Sequence, residues 1–229
     1  MSNKNHTLSG YSFYNLFERN KEFILRYKKN PLMLLMVSNS IDDQKIRERL
    51  LDCIQVFSVY FQKTVLLRQA LCEDAEFLVV ARAHLTEEFN HDLMLMRERN
   101  NKPAIWDPIL DATASWFTLK MLTCNEEEKT VLIHFVLEAS ANIFFHIAHK
   151  VMLHYGQTNY FETHCELDEA HEKMGADLLK DLSQKQYKKL FKIQSEGWDM
   201  LNTVCERIAS LSLGSMSTNN AVVDVEAAY

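Results

Sequence analysis

The sequence predicts an all-α bundle, and three observations carry that reading. Only five glycines and three prolines punctuate 229 residues, and such scarcity of breakers favours long helices over many short strands. Apolar residues recur at spacings of three and four, as in Ile46, Leu50, Ile54, Phe57 and Phe61, which is the stripe of an amphipathic helix. At 47% hydrophobic residues, the chain can bury a sizeable core. No composition shift marks an internal boundary. One helical domain is expected over residues 1–212, with a small, polar, disordered tail at 213–229.

Each element follows from local signals. Residues 11–29 read as a first amphipathic helix, stopped by Asn30-Pro31, and a short apolar helix follows at 31–37. Ser40 is the expected N-cap of a helix over 41–72. A second long helix is expected from about 74 to 99. Pro103 and Pro108 bracket a loop before a helix at 109–123. Asn125 with Glu128 makes a capping-box start for a helix running through Tyr155 and closed by Gly156. Helices at about 160–182 and 184–210 complete a set of seven or so.

Composition also excludes function classes. A formal charge of −6, with Lys and Arg scattered, offers no nucleic-acid surface. The cluster Lys185, Lys188, Lys189 and Lys192 reads as a solvated helix face. Five cysteines (53, 72, 124, 165 and 205) form no CxxC pair, and an odd count without a signal peptide points to a reducing cytoplasm. The most hydrophobic window, 131–149, contains Glu138 and three histidines, so it reads as a core helix and not a membrane span. Trp106, Trp116 and Trp198 are expected in the core, and Cys165 in packing.

Three segments carry inward-pointing chemistry. His164, Asp168 and His171 stand at i, i+4 and i+7, within roughly 60° of one another on a helix face. Two imidazoles and a carboxylate on one stripe suit a divalent metal and would be costly to bury unpaired. Glu88 and His91 stand at i, i+3, the ExxH spacing of bundle-core carboxylate sites. Glu138 sits alone among Val136, Leu137, Ile143 and Phe144, where coordination would remove the penalty on a buried carboxylate. The candidate ligand set is therefore Glu88, His91, Glu138, His164, Asp168 and His171. Three carboxylates and three imidazoles suit two iron or manganese ions and no structural zinc site. Glu87, one residue from Glu88, is an alternative ligand. His84, His134, Asn142, Phe145 and His149 are candidates for the pocket or for supporting the ligands.

The order Glu…His, here in a compact form only three residues apart, then Glu in a central apolar helix, then Tyr-Phe-x2-His-x3-Asp-x2-His resembles the heme-oxygenase-like di-iron oxidases and oxygenases. These are relatives of the thiaminase II and pyrroloquinoline-quinone-synthase C folds. The resemblance covers roughly residues 45–205, and His-x3-Asp-x2-His is its specific part. It implies a seven-helix heme-oxygenase-like bundle, two non-heme irons, and dioxygen activation against a small organic substrate of the fatty-acid, amino-acid or amine class. The electron donor is left unnamed, and a homodimer is compatible with the pattern. Two rival readings accompany it. One is a metal-free thiaminase-like hydrolase or cofactor-biosynthesis enzyme using a nucleophilic cysteine; the other is a non-catalytic interaction protein. Heme binding is disfavoured because residues 7–45 contain no histidine.

Overall fold

The computed structural model describes residues 10–156, 159–171 and 173–214, without the side chains of residues 166–170. Among the described residues every regular element is helical. Helix α1 (Phe13–Tyr27) starts where the Ser12 side chain accepts from the Asn15 N–H, and α2 (Pro31–Met36) starts on the Asn30 side chain with Pro31 in the first turn. Helix α3 (Gln44–Ala70) begins at Asp43 and not at Ser40, which lies in a 3₁₀ turn, Asn39–Asp42, capped by Ser38.

The expected helix over 74–99 is two helices. α4 (Ala75–Glu88) ends where Phe89 turns extended and Asn90 enters the left-handed region (φ 73°), and α5 (His91–Glu98) starts afresh. Asparagine tolerates that conformation better than most residues, so the break needs neither glycine nor proline. Helix α6 (Pro108–Thr123) is capped by Asp107.

The capping box at Asn125 and Glu128 opens α7 (Glu126–Thr130). The rod continues through a π-helical stretch, Val131–Glu138, into α8 (Ala139–Met152), and Gly156 closes it in the left-handed conformation (φ 73°). α9 (Asn159–His171) stops well short of residue 182, followed by Gly175 (φ 71°) and a 3₁₀ turn, Ala176–Leu179. α10 (Gln184–Gly214) runs two residues past the expected end of the domain; residues 215–229 lie outside the described residues.

α3 lies along α6, α9 lies along α8, and α10 runs across α3, α6 and the π-helical stretch. Gly197 makes that last approach close: a Cβ there would stand 2.7 Å from Leu132 Cδ2 and 3.2 Å from Val136 Cγ2. Trp198, fully buried, stacks on Phe23 and donates its Nε1–H to Asn20 Oδ1 (2.9 Å), tying α10 to α1. Trp106, by contrast, is 79% exposed, correcting the expectation that it is core. Two helices, Gln44–Ala70 and the rod Glu126–Tyr155, are long and apolar enough to cross a membrane, yet 56% and 72% of their apolar windows are buried within the bundle.

Candidate metal centre

Two irregular helix segments deliver the carboxylates. Glu88 is the last residue of α4, and Glu138 is the last residue of the π-helical stretch. π-Helical insertions widen the turn and re-aim side chains, and they recur at functional sites. Both glutamates are buried, at 2% and 1% exposure. Glu88 and His91 are therefore not on one continuous helix face, as the sequence suggested. The αL break at Asn90 separates them, and it is held by the Asn90 N–H donating to Gln62 Oε1 (2.9 Å).

Around these carboxylates the imidazoles form two groups. In the first, His84 Nε2–H donates to Glu138 Oε1 (2.8 Å). His171 Nδ1 stands 3.2 Å from Glu88 Oε1 and 3.4 Å from Glu138 Oε2, yet makes a properly angled hydrogen bond with neither. His84, Glu88, Glu138 and His171 thus bring one donor atom each within 4.8 Å of one another. In the second, Glu88, His91 and His164 meet the same limit. His91 Nδ1–H donates to Glu88 Oε2 (2.9 Å), and His164 Nε2 lies 3.9 Å from that oxygen. Glu88 belongs to both groups, with Oε1 facing one and Oε2 the other.

Outer contacts fix the rings. His164 Nδ1–H donates to the Tyr160 carbonyl (2.7 Å), which leaves the Nε2 lone pair facing the cluster, and Phe145 stacks on its ring at 4.2 Å. His171 Nε2–H donates to Glu87 Oε2 (2.5 Å), which leaves Nδ1 for the centre. Arg68, 1% exposed, donates from Nη1 to His134 Nε2 (2.8 Å), and His134 Nδ1–H donates to the His171 carbonyl (2.8 Å).

The charges follow from burial and neighbours. Burial alone would raise both glutamates. For Glu88, His171, His91 and His164 outweigh it, for Glu138, His84 and His171 do, and both are held below the usual carboxylate range. Burial would lower His171, but Glu138 and Glu88 overcome it and raise the group to about 11. His164 is pushed down to about 4, chiefly by burial. His134 lies well below its ordinary value through burial and then Arg68, and burial brings Arg68 itself down to about 10. Without a metal, a proton on His171 takes the place of a cation between two carboxylates.

The second group opens on a cavity of about 800 Å³ of empty space, part of it continuous with solvent. Glu88, Glu138, His91 and His164 line it, whereas His84 and His171 do not. Its walls are apolar, with Ile54, Phe57, Phe61, Leu137, Phe144 and Leu201 among them. The four-residue group keeps both its imidazoles away from the cavity and reaches it only through Glu88 and Glu138. The three-residue group faces open space.

No family model matches the chain. The chain is 34% identical over 193 residues to the uncharacterized protein RP592 of Rickettsia prowazekii (strain Madrid E), a match covering 84% of this chain and 92% of that protein. The chain belongs to the family of RP592.

In this member of the family, five of the six expected ligands (Glu88, His91, Glu138, His164 and His171) are brought together. Asp168 lies on α9, but its side chain falls outside the described residues. Of Glu87 and Glu88, the buried Glu88 is central, and Glu87, its side chain 41% exposed, holds His171 from outside. His84, expected only as a supporting residue, stands inside the cluster. Its i, i+4 relation to Glu88 was the signal available in the sequence. His134 is a prop behind His171 and Phe145 is a cavity wall, while Asn142 and His149 neither line the cavity nor join the cluster. Cys205 was missed as a cavity residue. It lines the wall on α10, with Tyr27 Oη 3.8 Å from its sulfur, and burial pushes its thiol up to about 12.

Proposed function

We propose that this chain is a non-heme di-iron oxidoreductase with a heme-oxygenase-like bundle, a cytoplasmic protein that activates dioxygen against a small organic substrate. The observation that carries this reading is the shared position of Glu88, one buried carboxylate whose two oxygens face two separate imidazole groups. A bridging carboxylate between imidazole-rich groups on bundle helices is the arrangement that holds two metals side by side. The donor chemistry fits: carboxylate oxygens and imidazole nitrogens without thiolate suit ferrous iron or manganese. The buried Nδ1 of His171, set between two carboxylates without a well-angled hydrogen bond to either, supports an ion being accepted there.

His84, Glu88, Glu138 and His171 would hold one ion, and Glu88, His91 and His164 the other. Two ferrous ions, when bound, supply electrons to dioxygen and open positions for it. The chain supplies the rest. Glu87 and His134 keep the His171 ring turned inward, and the Tyr160 carbonyl does the same for His164. Ile54, Phe57, Phe61 and Phe144 give the cavity beside His91 and His164 an apolar wall, so a substrate there would meet both imidazoles of the three-residue side and, of the other side, only carboxylates. The metal-free alternative needs a nucleophilic thiol, and burial keeps the cavity's Cys205 protonated at neutral pH.

Anaerobic loading with ferrous iron, followed by metal counting, tests the proposal. Two irons per chain are expected, with dioxygen uptake on exposure to air, and His171→Ala should lose both ions. Full metal retention in that variant overturns the assignment. Substrate turnover that survives exhaustive chelation replaces it with the metal-free reading.

A further inference from the structure

One polar group on the cavity wall is left over by everything above. Gln62, on α3, is 9% exposed and lines the cavity. Its orientation is fixed, because Oε1 accepts from the Asn90 N–H (2.9 Å), so the amide nitrogen is turned the other way. That Nε2 is buried and has no hydrogen-bond partner. An unmatched buried donor costs on the order of 1–3 kcal/mol, and a partner delivered by a ligand recovers it. Ser58, one turn earlier on the same helix, is also buried and lines the cavity, adding a hydroxyl to the same stripe.

The charges facing the space narrow the ligand further. Among the lining residues Glu88, Asp92 and Glu138 are acidic and none is Lys or Arg. A free carboxylate or phosphate head group would find no counter-charge at Gln62 and three acids around it. A neutral oxygen acceptor that presses between the side chains packed over Nε2 would meet an unmatched N–H. The remaining walls are aliphatic and aromatic.

We infer that the cavity binds an apolar molecule bearing a neutral carbonyl-type oxygen, received by Gln62 Nε2 with Ser58 beside it, and its hydrocarbon body against Ile54, Phe57, Leu137 and Leu201. The inference rests on reading the cavity as the substrate space of the proposed enzyme, and it deepens that reading by assigning the substrate's polar handle and the residue that grips it. Gln62 is a specificity residue: it also ties the substrate's position to the Asn90 break that sets Glu88 against His91.

The probes are hexanamide, hexane, hexanoate and hexylamine, titrated by NMR into the full chain, both chelator-treated and iron-loaded. The grip on the oxygen needs no metal, so amide binding should persist in chelated protein even if the chain takes up no iron. That keeps failure of this inference distinct from failure of the di-iron reading. In chelated wild type, hexanamide should bind at least tenfold tighter than hexanoate, which meets three acids, and tighter than hexylamine, which brings no acceptor to Nε2. Gln62→Met should cut the preference for hexanamide over hexane about tenfold. Because the preference is a ratio, any general loosening around Asn90 cancels. Should the methionine variant not fold, Gln62→Glu read at pH 9 retains an acceptor for the Asn90 N–H and should show the same loss. A preference that falls less than threefold overturns the assignment of Gln62. Binding of hexanoate or hexylamine equal to that of hexanamide overturns the neutral-acceptor class.

Discussion

The two halves of the cluster share Glu88 and differ in almost everything else. On one side His84, Glu138 and His171 are knit to each other and to an outer layer of Glu87, His134 and Arg68, and neither imidazole has a face on the cavity. On the other, His91 and His164 stand against open apolar space, backed mainly by a single carbonyl and a stacked phenylalanine. The closed half has its donors in place and turns only carboxylates toward the cavity. The open half leaves positions free. A chain that needed only a structural ion would have no reason to build the second half, and a chain that needed only a pocket would not bury two acids behind it.

The largest test of this contrast is removal of one ring from each side. His171→Ala strips the group lying between Glu88 and Glu138 and leaves two buried carboxylates facing each other. The metal-free variant should lose about 3–5 kcal/mol of stability in urea unfolding and should bind neither ion. His164→Ala should unfold close to wild type and retain one ion of two. Equal metal loss in the two variants would erase the distinction between the halves.

The next test uses pH. In chelated protein His171 is raised to about 11 in the fold against about 6.5 in an unfolded chain. A group raised on folding stabilises fully below its unfolded value, and its contribution declines as pH rises toward its folded value. Chelated wild type should therefore weaken steadily from about pH 6.5 upward, through this window, relative to His171→Ala. With metal present the trend reverses, since an ion must displace that proton. His164, already neutral above about pH 4, adds no such slope. Urea melts from pH 6 to 10, with and without metal, read both trends.

Smaller effects come from the outer layer. Arg68→Met leaves His134 Nε2 without its donor, and a loss of about 1–3 kcal/mol is expected, with weaker metal binding on the closed side only. Glu87→Gln keeps the size of the side chain exposed beside His171 but removes its charge. Stability should move within about 0.5 kcal/mol, while the affinity of the closed group falls about tenfold. Calorimetric metal titration separates these two variants from His164→Ala.

How far the site was legible in the sequence follows the same division. His164 and His171 fall on one regular helix, so counting at 100° per residue was sufficient to align them. Glu138 stood out because nothing acidic surrounds it in the sequence. His84 was undervalued because a lone imidazole one turn before a Glu-Glu pair looks like a helix surface, and only the packing of α4 on α3, with His84 set against Glu138 and His134, turns it inward. The helix break was invisible because Phe89-Asn90 contains neither of the usual breakers. The π-helical stretch was invisible because its eight residues are uniformly apolar apart from His134 and Glu138, and i→i+5 bonding leaves no compositional trace. The bundle's elements, set by caps and apolar stripes, were far easier to read than the two distortions that aim its acids.

Those distortions constrain how the chain can change length. Excising a single residue from Val131–Glu138 would let the rod relax to ordinary α-helical register, since the extra residue per turn is what the wider coil accommodates. Hydrophobic packing would tolerate the repair, and such a protein should fold well. Glu138, however, would swing around the rod away from His84 and His171, leaving a sound bundle with a blank centre. Drift in this family is therefore expected to spare the length of that stretch more strictly than its sequence.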